Sequence, residues 1–449
     1  PKTRSSPSTL PREGEESHGS LETLMTQRIA LLGLLGLFLL SPTVLADQPI
    51  RLVRKIDRVQ PMTGIVLWSD HDRVATDAIQ LEYRYMRYDA VSPAPGQWDW
   101  ASVESTLDQV ALRGHQAILR FYFVYPGQDT TVPAWLKRRD DYRPTRGKSE
   151  GKLTEFCDWS STALQDFVLD FYTAFAKRYD RDKRLAFLQT GFGLWAEYHI
   201  YDGPRTIGTT FPSKAFQTRF FNHLDQQLTQ LPWMVSIDAA DDSYSPFDQD
   251  DDLQRLSFGL FDDSFLCKPH DQENAWNWKF FGGDRWQGSP AGGELSYYTK
   301  RDQKLALADN GPHGVSFESL ASRYHVSFMI GNDQPRYQKM QRIQQAGMHL
   351  GYRFHVTQLQ PTKGGIDITV ANQGIAPLYR DAYFAIGDRR SNESLKGLLP
   401  GTRKTVRIAA RADEIESLRI QCDHLVEGQT IQFEAAASLS PLKTSKAAR

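Results

Sequence analysis

From Gly64 to about Asp333 the chain repeats one pattern: a short β-branched or aromatic run, a polar stretch, then apolar residues at helical spacing. The runs predict strands at 64–68, 81–88, 116–124, 185–192, 234–239, 257–261, 291–295 and 325–330. The helical partners are clearest at 101–113, which is followed by Gly114, at 161–179, and at 213–231, which stops before Pro232. Eight strands alternating with helices over this length predict an α/β fold, the (β/α)₈ or TIM barrel, within 47–349. A doubly wound sheet is the alternative, but it would normally carry a glycine-rich phosphate loop after its first strand, and Gly64-Ile65-Val66-Leu67-Trp68 leads into none.

After a helix at 336–346 the pattern changes at Leu350. Short runs at 352–360, 365–372, 382–386, 405–408, 417–422 and 430–435, separated by Gly, Pro and Asn, predict a small β-sandwich over 350–439. A basic, small-residue tail at 440–449 is expected to be disordered.

The opposite end reads as targeting sequence. An apolar run at 29–40 follows Met25 and Arg28 and precedes Ser41, Pro42 and the small-residue exit Val44-Leu45-Ala46. This is the order of a secretory signal peptide at 25–46, cut after Ala46, which implies a secreted or periplasmic protein. The run is shorter than the roughly 20 residues that span a bilayer, so no membrane contact is expected after cleavage; an uncleaved anchor is the alternative. Residues 1–24 are polar, lack Met and are read as an upstream segment outside the fold.

Composition narrows the class. The 449 residues are 40% hydrophobic and 12% aromatic, enough for one large core and a smaller one. With 53 Lys and Arg against 54 Asp and Glu, the net charge of −1 gives no bulk attraction to nucleic acid and suits a neutral polymer. Cys157, Cys267 and Cys422 form no CxxC and allow at most one bridge, whose pairing stays open. There is no HExxH, GxSxG or Walker loop, and the acidic run 248–252 lacks the Gly and terminal Glu of an EF-hand. No metal or cofactor is expected.

Candidate chemistry sits just beyond two strands. Gly193-Leu194-Trp195-Ala196-Glu197-Tyr198-His199 follows strand four, and Gly292-Gly293-Glu294-Leu295-Ser296-Tyr297 falls on strand seven. Catalytic groups of this fold lie at the C-terminal ends of strands. Glu197, flanked by aromatic residues, is the expected general acid/base and Glu294 the expected nucleophile of a retaining glycosidase. Arg87, Arg120, Tyr122, Trp195, His199, Asp238 and Tyr297 are expected near the barrel mouth. Trp276 and Trp286, on a segment between strands six and seven that also holds Trp278, would supply sugar-stacking faces, making an oligo- or polysaccharide the expected partner.

Carboxylates after strands four and seven resemble the 4/7-type glycoside hydrolase clan of β-galactosidases and cellulases. A closer resemblance, spanning both domains, is to the bacterial family known as domain of unknown function 4832, through Gly193-Leu194-Trp195-Ala196-Glu197-Tyr198-His199, Gly292-Gly293-Glu294 and Leu350-Gly351-Tyr352-Arg353-Phe354. The first resemblance implies hydrolysis of glycosidic bonds, and the second implies no activity. Two features depart from the clan: Ala196 stands where an Asn usually precedes the acid/base Glu, and no strand-six Tyr is evident near Asp262 and Asp263. A non-catalytic polysaccharide-binding or cell-envelope assembly protein is therefore the rival expectation.

Overall fold

A computed structural model describes residues 50–241 and 243–439. The expected signal peptide and the C-terminal tail lie outside the described residues.

Eight parallel strands close a barrel in chain order. Barrel strands one to eight are Gly64–Trp68, Leu81–Arg87, Gln116–Tyr122, Leu185–Thr190, Trp233–Ser236, Gly259–Phe265, Ala291–Leu295 and Phe328–Ile330. Strands three and four are buried at every position, which explains their nearly unbroken apolar runs. Strand five ends three residues earlier than its pattern suggests, because Ser236 caps a 3₁₀ turn at Ile237–Ala240. Strand eight starts three residues late, since His325 has a left-handed φ of 54°.

The outer helices bury the stripes their periodicity implies. Thr162–Tyr179 is capped by the Ser161 side chain, which accepts from the Leu164 N–H, and turns Leu164, Phe167, Val168, Phe171 and Phe175 onto the barrel. Lys214–Gln227, capped by Ser213, ends four residues before the expected stop at 231. The acidic run is itself a capped helix start: Asp250 accepts from the N–H groups of Asp252 and Leu253. Among the described residues no helix is long and apolar enough to cross a membrane.

The C-terminal strands form two small sheets. One orders Ile50–Arg54, Glu434–Leu439, Phe354–Thr362, Gly365–Asn372 and Arg403–Ile408; the other orders Arg389–Arg390, Ala382–Ile386 and Arg419–Cys422. Ile50–Arg54, assigned with the barrel by its place in the sequence, instead pairs antiparallel with the last strand, Ile50 opposite Leu439. Ile368, Val370, Phe384, Val406 and Ile420 share one buried cluster that continues into the barrel interior through Met62, Phe187 and Phe328.

These sheets close the N-terminal end of the barrel. Gln116 at the start of strand three donates to the His424 carbonyl (2.7 Å), the Tyr379 hydroxyl donates to the Trp286 carbonyl (2.6 Å), and Gln429 donates to Gln80 (3.1 Å). Every barrel partner in these contacts starts or precedes a strand, so the opposite, C-terminal mouth stays open. Cys157, Cys267 and Cys422 are all buried free thiols.

Candidate active site

The loop after strand four is a tight backbone knot. Phe192 and Gly193 N–H groups both donate to the Glu197 carbonyl (3.1 and 2.8 Å), Leu194 N–H to the His199 carbonyl (3.0 Å), and Glu197 N–H back to the Leu194 carbonyl (2.9 Å). A side chain at Gly193 would collide with the His199 backbone, so glycine serves close approach here rather than flexibility. Closing the knot forces Trp195 and Ala196 to left-handed φ values of 55° and 58°. Two consecutive non-glycine residues in this region cost on the order of 1–3 kcal/mol each, strain that concentrates where a side chain must be aimed. The residue they aim is Glu197.

Glu294 is placed by a different device. Gly293 pairs with Asp262 and Leu295 with Phe265, so strand six carries one extra residue across this step, a bulge over Asp263 and Ser264. The bulge sets Asp263 beside Glu294 at the mouth. Gly293 is required because its position lies against the Asp262 backbone. Asp262, one residue away and facing outward, instead accepts from Asn274 (3.1 Å) and the Trp278 indole (3.4 Å).

Both glutamates open into one cleft of about 1270 Å³, together with Trp195, His199, Asp238, Asp263, Trp276 and Tyr297. Beneath it lies Arg120, 1% exposed. Its guanidinium donates to Asp263 Oδ2 (2.7 Å) and twice to Gln189 Oε1 (2.8 and 2.6 Å), rests 4.3 Å from the Phe261 ring centroid, and stands 3.9 Å from Glu197. Asp263 Oδ1 and Glu294 Oε1 are buried without a hydrogen-bond partner.

One arginine thus serves three carboxylates, and the electrostatics show it. Burial first, then repulsion from Asp263, raises Glu197 well above the ordinary carboxyl range against the pull of Arg120. The same causes in the same order push Glu294 up to about 8. Both carboxyls are therefore raised together by the same burial and the same neighbour. His199 Nδ1 lies 2.7 Å from Asp238 and 3.7 Å from Glu197. Burial works against its charge, but the hydrogen bond and charge of Asp238 outweigh it and raise the imidazole, while His199 lowers Asp238 against that residue's own burial. Glu197, His199 and Asp238 offer atoms within 4.8 Å of one another, a donor set with the chemistry for a cation.

A stability consequence follows from Glu294. A carboxyl raised in the folded state stabilises fully below its unfolded pKa of about 4.3, and that contribution is lost as pH climbs to about 8. Glu294→Gln should match the parent in urea unfolding near pH 4 and exceed it increasingly toward pH 8. The expected gap grows by up to roughly 1.4 kcal/mol per pH unit, less what neighbouring groups absorb. A constant gap across that window would contradict the assignment.

Several expected site residues lie elsewhere. Tyr122 is buried behind the cleft wall, edge-on to Tyr85 and Tyr125, and its hydroxyl accepts from Arg87 (3.4 Å). Arg87 is clamped to Asp89 at 2.8 and 3.0 Å and does not reach the cleft. The segment expected to overhang the mouth is a helix, Asp271–Phe280, that runs back down the barrel. It leaves Trp276 in the cleft, stacks buried Trp278 on Tyr324 (5.0 Å), and carries Trp286 to the closed end, where it stacks on His325 at 3.5 Å. Trp286 is therefore corrected to a packing residue.

Other cleft residues escaped the sequence reading. Asp263 had the signal used for the glutamates, a carboxylate at a strand's C-terminal end, as did Asp333 after strand eight. Trp68, Tyr85, Tyr125 and Tyr201 add aromatic wall, with Tyr201 parallel to Trp195 at 6.3 Å.

No family model matches the sequence, and no curated protein matches it. Similar solved structures include an alpha-galactosidase from Thermus thermophilus in complex with p-nitrophenyl alpha-D-galactopyranoside, 15% identical with a TM-score of 0.37 over 68% of this chain and 64% of that one. Others are a GH5_18 protein from Bifidobacterium longum subsp. infantis (8%, 0.42, 69% and 84%) and the catalytic domain of a beta-amylase from Paenibacillus polymyxa (11%, 0.38, 60% and 91%). The chain spans just under two thirds of the alpha-galactosidase. At these identities and TM-scores the likeness carries no argument about activity.

Proposed function

We propose that this protein is a retaining glycoside hydrolase acting on an oligo- or polysaccharide. The observation that carries the reading is the pair of raised carboxyls, Glu197 and Glu294, delivered from strands four and seven into one aromatic-walled cleft. In the proposed first step Glu294 attacks the anomeric carbon, the glycosidic C–O bond breaks, and the Glu197 proton passes to the leaving oxygen. In the second, water gives a proton to Glu197 and its oxygen to the anomeric carbon, releasing Glu294. Glu294 is among the charges that raise Glu197, so the two act in one electrostatic cluster.

The resemblance to the domain of unknown function 4832 family belongs to this reading, as does export with removal of 25–46. The two C-terminal sheets are read as a small sandwich that braces the barrel, supported by their common apolar cluster and their contacts at its closed end.

One feature favours a rival, a binding protein without turnover. Ala196 is fully buried and supplies no partner for a sugar 2-hydroxyl. Proton NMR of the first product from a panel of glycosides decides between them: the first-formed anomer should keep the substrate's configuration. Inversion would remove the covalent route, and saturable binding without any product would install the rival.

A further inference from the structure

Net charge near zero led to the expectation of a neutral polymer, but the charge is not evenly spread. The chain carries −1 overall, yet eight acidic side chains line the cleft against Lys152, Arg205, His199 and His270, with Arg120 beneath. Lys152 lies 3.9 Å from Glu150. Besides Glu197, Glu294 and Asp263, the cleft holds Asp238, Asp241, Glu273 and Asp333. Among the described residues no cation stands within 4.0 Å of Glu273 or Glu294.

Clefts of one sign focus potential and select ligands of the other. A second observation points the same way and does not depend on the count. Asp263 is 8% exposed, and its Oδ1 and the Oε1 of Glu294 are buried acceptors with no donor. Buried acceptors without partners are costly unless something arriving in the cleft donates to them. The aromatic faces of Trp195, Tyr201 and Trp276 border the same space, so the donor would arrive on a body with a stackable face.

Resting on the glycosidase reading of the same site, we propose that the cleft takes a cationic glycan, a polymer of hexosamines bearing free, protonated amino groups. An ammonium group has three donors and no acceptor, which matches the two unpartnered oxygens on Asp263 and Glu294. A neutral sugar brings only hydroxyl donors to those oxygens, whereas an ammonium group brings donors and the opposite charge.

The test is calorimetric titration of the full chain with three hexamers, those of glucosamine, N-acetylglucosamine and glucose (cellohexaose), at about pH 6, with product analysis of each mixture at that pH and again above the expected acid limb, at about pH 9. The glucosamine hexamer should bind at least about tenfold more tightly than either neutral hexamer, a difference of roughly 1.4 kcal/mol. That preference should shrink severalfold in high salt and in a Glu273→Gln, Asp333→Asn double variant. Equal or tighter binding of a neutral hexamer, or no binding of any, overturns the inference. The two readings fail separately: binding of the glucosamine hexamer without cleavage removes the hydrolase and keeps the cationic ligand, and cleavage of neutral hexamers without the preference does the reverse.

Discussion

Glu294→Ala is expected to lower kcat on the order of 10⁴-fold, and added azide should restore turnover while giving a product of opposite anomeric configuration. Removing the carboxylate deletes the nucleophile but leaves Arg120, Asp263 and the aromatic walls in place, so a small anion can enter the vacated volume beside the anomeric carbon. Asp263→Ala serves as the control. Asp263 is bonded to Arg120 at 2.7 Å, and as a positioning residue its loss should not be rescued as a nucleophile's would be. Glu197→Gln should behave differently from both, losing about 10²- to 10⁴-fold on substrates with poor leaving groups and far less on activated aryl glycosides that need no proton. The acid limb of kcat/KM should lie near pH 8, where Glu294 ionises in the free protein. Azide rescue of Asp263→Ala instead would transfer the nucleophile's role to strand six.

The barrel was legible in the alternation of strand runs with helical periodicity. Strands one and seven match their predicted bounds residue for residue, whereas strands three and four, buried at every position, stop at Tyr122 and Thr190, two residues before their apolar runs end. Ile50–Arg54 was not legible: its partner Leu439 lies at the far end of the chain, and no local pattern encodes so distant a pairing. The two glutamates could be found from the rule that chemistry sits at strand C-termini. Asp263 obeys that rule too, but choosing it over Asp262 needs the bulge, which depends on the register between strands six and seven rather than on either sequence. Trp286 failed for a related reason: the segment carrying it is helical and antiparallel to the strands, so a few turns move a side chain from the mouth to the closed end. Arg120 was placed at the mouth by its strand, and only the structure shows it as the floor.

Arg120→Met should destabilise the fold by about 3–5 kcal/mol, read as a lower urea midpoint with an unchanged slope. The guanidinium is 1% exposed and holds Asp263, Gln189 and the Phe261 face together across three strands. Methionine fills much of the volume, so the cost is electrostatic: Asp263 is left charged in a buried site beside two other carboxyls, and Gln189 Oε1 loses both donors. If that account is right, Asp263→Asn in the Arg120→Met background should recover a large part of the loss, because it removes the stranded charge rather than adding a contact. The same substitution in the parent should destabilise, since it would leave Arg120 buried with its main counter-charge gone. Opposite signs for one substitution in two backgrounds constitute the coupling, and additive effects would mean that Arg120 acts by packing alone. Coupling of this kind also states what the arginine does for the proposed chemistry. A floor of one fixed cation beneath three carboxyls accommodates fewer negative charges than there are groups to carry them, so the cluster raises its glutamates together and keeps a proton available to a leaving oxygen.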